Sequence, residues 1–220
     1  MPSEKKFPPT ADELLTLEPF VGLGPAAIRL PATPADLEHA WNVLGACEFV
    51  GFDTEARPTF DKGEVSTGPD VVQFATATEA FIFQLHRAQV VDMVKRLLVA
   101  AAIVKVGFGL GQDQQQLLRR LGVRAMPLLD LDVVFRQRGY ARTLGVKGAV
   151  AVVLNRRLVK SRKVTTSNWS HRQLKPNQLL YAANDAHAAL RVLHALGMPR
   201  ASLPVWQHGE APEGGNRRST

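Results

Sequence analysis

Cysteine is almost absent: Cys47 stands alone in 220 residues. One thiol cannot close an internal disulfide or build a zinc cage, so neither cross-link is expected. Long apolar runs are missing too. None approaches the roughly 20 residues that span a bilayer, so no membrane partner is expected. The opening MPSEKKFPPTADELL has lysines with no apolar stretch behind them and does not read as a secretory signal. These absences together lead to the expectation of a cytoplasmic protein. There are no internal repeats, and no linker divides the body of the chain.

The composition is that of a globular protein, with 45% apolar and 21% charged residues, enough for one sizeable core. Lysine and arginine number 27 against 20 acids, a net charge of +7, which is compatible with a polyanionic partner. The bases are unevenly placed. NRRLVKSRK (155–163) holds Arg156, Arg157, Lys160, Arg162 and Lys163. By itself that run reads equally as a solvated face or as a strip that tracks phosphates.

Patterning suggests residues 1–25 as a flexible leader, 26–200 as one α/β domain, and 201–220 as a disordered basic tail ending in GGNRRST. Thr33 and Pro34 open a predicted helix that stops near Gly45, with Trp41 on its core side. Strands are predicted at 26–30, 48–54, 70–77 and 79–85, the last three as an antiparallel meander. A helix over 88–100, a buried strand over 102–110 and a helix over 112–122 follow. Residues 123–137 fit a strand or a helix start. Helices over 144–155 and 175–197 complete a mixed sheet flanked by helices.

The stretch FVGFDTEARP (49–58) ends a buried strand in two acids. Residues two apart share a face, so Asp53 and Glu55 point the same way and repel unless they are wet or meet a cation. Tyr181 and Asp185, four apart, share a face of the last helix. Alone, they read as well as a half-buried anchor and a surface carboxylate. Asp113 opens the helix after VGFGLG, where an acid suits an N-terminal cap. The glycines there are spaced G-x-G-x-G rather than G-x-G-x-x-G, so a dinucleotide fold fails on spacing. Four acids from three elements could share one cleft, where hard divalent cations take carboxylate oxygens. Two such ions roughly 3.5–4 Å apart clamp a phosphoryl displacement.

In order, FDTE, GFGLGQDQQQLL and YAANDA, with SNWS (167–170) before the last helix, resemble the DEDDy family of 3′–5′ exonucleases. Within it, the likeness is to the ribonuclease D and Werner-type exonuclease domains, over roughly residues 26–197. The resemblance implies a ribonuclease-H-like fold and two divalent ions, Mg²⁺ or Mn²⁺. Asp53, Glu55 and Asp185 would hold one ion, with Asp53 bridging to the second. Asp113 would complete the set through water or from behind. Tyr181 would orient the attacking water; His187, two residues past Asp185, is expected to be a surface or packing residue. The substrate would be single-stranded or 3′-recessed DNA, or RNA, and the products nucleoside 5′-monophosphates. A catalytically idle nucleic-acid-binding module on the same fold is the alternative.

Asn168 and Trp169, beside the basic run, read either as a substrate-side flap or, for Trp169, as packing of that loop on the last helix. Two departures from the family stand out. Gly109 occupies a position where some members carry asparagine. The run after Glu55 is ARPTF, so stacking on the terminal nucleotide would fall to Phe60, or to Phe108 and Leu110, unless these pack the core.

Overall fold

The computed structural model describes residues 5–58 and 66–207. Eight helices and six strands are formed among them. The helices are α1 (Ala11–Leu15), α2 (Pro34–Gly45), α3 (Ala88–Val99), α4 (Gly111–Leu121), α5 (Leu131–Gln137), α6 (Gly145–Leu154), α7 (Arg162–Thr165) and α8 (Pro176–Leu196). The strands are β1 (Ile28–Arg29), β2 (Phe49–Glu55), β3 (Val71–Ala75), β4 (Ala80–Gln84), β5 (Val104–Gly107) and β6 (Leu128–Asp130). They form one sheet in the order β1-β4-β3-β2-β5-β6. β3 runs antiparallel to both β2 and β4, and the remaining pairs are parallel.

Alternation along β2 sorts its side chains between two faces. Val50 and Phe52 join Val72, Phe74, Phe81 and Phe83 on the face covered by α2 and α3. Phe52, Phe74 and Phe83 form a chain of tilted and edge contacts at 5.5 and 5.9 Å. Gly51, Asp53 and Glu55 take the other face, which α8 covers. There the helix offers Ala182, Ala183 and Ala186 to Val71, Ala75 and Ile82, and small residues let it sit close. Contact is closest at Gly51, where a Cβ would lie 1.9 Å from the carbonyl oxygen of Ala186. Only glycine allows this crossing of strand and helix. At the β5–β6 end, Val104, Val106 and Leu129 pack on α5, α6 and the last turns of α8.

Local signals explain most boundaries. Thr33 Oγ1 accepts from Asp36 N at 3.2 Å while Asp36 accepts from Thr33 N at 2.8 Å, a reciprocal cap that starts α2. Trp41 is half-buried, with the Arg96 guanidinium 4.3 Å from its ring centre. The predicted strand over 102–110 is shorter, because Gly109 turns at φ +65° and Gly111 already begins α4. The ambiguous stretch 123–137 divides into β6 and α5, with Asp130 capping the helix.

The largest difference lies in the leader. Residues 5–25, expected to be flexible, are tied to the body. α1 has a full capping box between Thr10 and Glu13. Phe20 N donates to Arg157 O at 2.9 Å, Arg157 N donates to Glu18 O at 2.8 Å, and Lys6 bridges to Tyr140. Backbone pairing with distant segments supplies the order that the proline-rich pattern hides. Phe60 and the tail beyond 207 lie outside the described residues.

Candidate active site

Asp53 and Glu55 leave the end of β2 on the face covered by α8, and the close crossing at Gly51 brings Asp185 over them. One carboxylate oxygen from each of Asp53, Glu55 and Asp185 lies within 4.8 Å of the others. Three carboxylates cannot share that space as free anions. Burial, then Asp113 and Asp185, pushes the Asp53 carboxyl well above its usual range. Glu55 is pushed up to about 10 by burial and then by Asp53 and Asp185. Burial also raises Asp185, against the pull of Lys160.

One cation already reaches the cluster. Lys160 Nζ lies 2.5 Å from Asp185 Oδ2 and 5.0 Å from the centre of the Tyr181 ring. Burial works against this ammonium, but Asp185, Tyr181 and Asp53 outweigh it and raise its pKa. One positive charge does not balance three carboxylates. The donor set, all hard oxygens with surplus negative charge, fits a divalent cation such as Mg²⁺ or Mn²⁺.

Tyr181 stands one turn before Asp185 on α8. Its hydroxyl accepts from Thr165 Oγ1 at 3.0 Å. Burial and then Asp185 push the phenol up to about 12, so it keeps its proton and can donate it in a hydrogen bond. Asp113 is not one of the close three. Its carboxylate accepts from Thr54 Oγ1, on the opposite face of β2 from the acids. Burial raises its pKa and the Thr54 bond lowers it. Asp113 therefore stands behind Asp53, whose pKa it raises, rather than beside the three acids.

The other residues singled out divide clearly. Arg156, Arg162, Lys163 and Asn168 are exposed, and Arg157 is half-buried beneath the leader. Asn168 Oδ1 is occupied by Ser170 N and Oγ at 3.0 and 2.7 Å. Trp169 is 1% exposed and packs 5.9 Å from the Tyr181 ring, so it supports α8 and does not face a substrate. Lys160 leaves the basic strip altogether and enters the acidic site. Leu110 is buried in the core, whereas Phe108 lines a cavity of about 230 Å³ together with Asp53, Lys160 and Asp185. His187 is buried, with Nδ1 3.1 Å from Thr76 O, and is a packing residue.

Residues 28–198 match the family model described as 3′-5′ exonuclease. The chain belongs to this family. It is 33% identical over 168 residues to the bifunctional 3′-5′ exonuclease/ATP-dependent helicase WRN of Mus musculus, covering 76% of this chain and 12% of that protein. A 3′-5′ exonuclease of Arabidopsis thaliana is 27% identical over 150 residues, covering 67% and 52%. The chain thus spans about half or less of these relatives. Ribonuclease D of Trypanosoma brucei superposes with a TM-score of 0.70 at 24% identity, over 80% of this chain and 66% of that one. The same enzyme in complex with RNA U12 gives 0.67 at 23% identity, over 88% and 66%. The six-stranded sheet with its flanking helices is the ribonuclease-H-like fold of these exonuclease domains.

Proposed function

We propose that the chain is a metal-dependent 3′–5′ exonuclease of the DEDDy type, hydrolysing phosphodiester bonds at the 3′ end of DNA or RNA to nucleoside 5′-monophosphates. The observation that carries this reading is the convergence of Asp53, Glu55 and Asp185 within 4.8 Å. These three carboxylates would hold the two divalent ions, Mg²⁺ or Mn²⁺, that such a reaction uses. Ions bound there would acidify a water and neutralise charge on the scissile phosphate. Tyr181 keeps its proton and directs its hydroxyl toward the attacking water. Asp113, fastened by Thr54, fixes the charge behind Asp53. Lys160 holds Asp185 in place with its ammonium, and exposed Arg156, Arg162 and Lys163 attract the phosphates that follow. The names of the relatives support the reaction class, and the RNA complex of ribonuclease D supports a nucleic-acid substrate.

The test is incubation with 5′-labelled single-stranded and 3′-recessed DNA and RNA in Mg²⁺, Mn²⁺ or EDTA. A ladder shortening from the 3′ end is expected, absent in EDTA and reduced on the order of 10³-fold in Asp53→Asn. Tyr181→Phe should slow turnover with metal affinity retained. Binding of all four substrates without cleavage would favour the idle module.

A further inference from the structure

Beyond Lys160 from the acids, a cavity of about 390 Å³ opens between α1 and the segment after α6. Its apolar wall includes Leu14, Leu15 and Val159; Lys147 and Arg157 are its cations, the Lys160 ammonium being turned to Asp185, and among the described residues no carboxylate lines it. Leu15 and Val159 are 66% and 70% exposed, unusual values for large aliphatic side chains on adjoining walls. The Nε of Arg157 is buried and has no hydrogen-bond partner among the described residues.

We propose that this cavity receives the substrate nucleotides just upstream of the scissile bond, their bases against Leu15 and Val159 and their phosphates on Arg157 and Lys147. The inference rests on the nuclease reading and extends it. A single strand is an alternation of apolar faces and anions, and this cavity alternates apolar wall with cation. Lys160 joins the two places, since it lines the cavity and its ammonium meets Asp185. The cavity and the acidic cluster thus adjoin at Lys160. Part of its wall is α1, outside the segment matched to the family. The leader thus supplies a grip that the matched segment does not. Aliphatic walls offer no hydrogen bonds to base edges, so this grip carries no base preference.

The double variant Leu15→Ser/Val159→Ser removes the wall without adding charge, and both side chains are exposed, so the fold should persist; thermal melting by circular dichroism checks this. Steady-state kinetics in Mn²⁺ would use a decanucleotide and p-nitrophenyl thymidine 5′-monophosphate, which has no upstream nucleotide. We expect KM for the decanucleotide to rise about tenfold at constant kcat, with the small ester unaffected. An unchanged decanucleotide KM, or equal losses on both substrates, would overturn the inference while leaving the nuclease reading intact. If the wild-type protein cleaves neither substrate, the nuclease reading has failed and this inference falls with it.

Discussion

Among the described residues, Lys105 and Lys160 are both drawn into the fold, and their surroundings could hardly differ more. Lys105, on β5, is fully buried, and its Nζ reaches three neutral acceptors: the carbonyls of Ala100, Ile103 and Met126 at 3.2, 2.7 and 2.8 Å. Burial pushes it down to about 7, although three carbonyls match the three donors of an ammonium. Lys160 is half-buried, yet Asp185, Tyr181 and Asp53 raise its pKa against the effect of burial. Dipoles fasten the first lysine as a structural clip between loops. Net negative charge holds the second as a counter-ion. One end of the sheet is thus built to satisfy a cation locally, and the other keeps more negative charge than its own cation can balance. That surplus is the physical signature of the site.

In activity, the contrast would break most severely at Gly51. Gly51→Ala places a methyl group 1.9 Å from the Ala186 carbonyl, so α8 must move away and carry Asp185 from Asp53. We expect about 1–3 kcal/mol of lost stability and on the order of 10²-fold lost activity, measured by melting and by single-turnover cleavage. Lys160→Met comes next. It leaves Asp185 without its counter-ion, and breaking a buried pair costs about 3–5 kcal/mol. The melting temperature should fall by several degrees in EDTA and recover when Mn²⁺ is added. A drop that Mn²⁺ does not reverse would mean that Lys160 is packing rather than charge balance.

Lys105 should leave activity untouched, and its effect appears only as a pH dependence of stability. Its folded pKa lies below the unfolded value, so between about 7 and 10.5 the unfolded chain binds the extra proton. From this group stability rises with pH across that window, by up to about 1.4 kcal/mol per pH unit. Below about 7 the protonated lysine carries its full burial penalty. Buried acids with raised pKa values contribute the opposite slope, so the readout is the difference between wild type and Lys105→Met. The variant should lose the rising component; parallel stability curves for the two proteins would show that Lys105 stays charged throughout.

Much of the site was legible because its members carry local signals. Strand alternation put Asp53 and Glu55 on one face, helical spacing paired Tyr181 with Asp185, and the ordered motifs joined them. Lys160 was legible only as one of five bases in a row. Its segment has no helical or strand period, and its destination depends on packing against α8. Trp169 was open between flap and packing because a single aromatic residue carries no periodicity. The leader was misread for a related reason: its order comes from pairing with residues 139–141 and 157, far along the chain. The fold was more readable than its edges. The meander and α8 followed from pattern, whereas β6 and α5 overlap in propensity and are divided by the Asp130 cap.

The most direct measurement is a calorimetric titration of Mn²⁺ into the wild-type protein and Asp53→Asn. We expect saturable binding by the wild type and affinity at least about tenfold weaker in the variant, since one ligand of three is neutralised (about 1.4 kcal/mol or more). Absence of binding to the wild type, or equal affinity in both proteins, would contradict the assignment of Asp53, Glu55 and Asp185 as a metal centre.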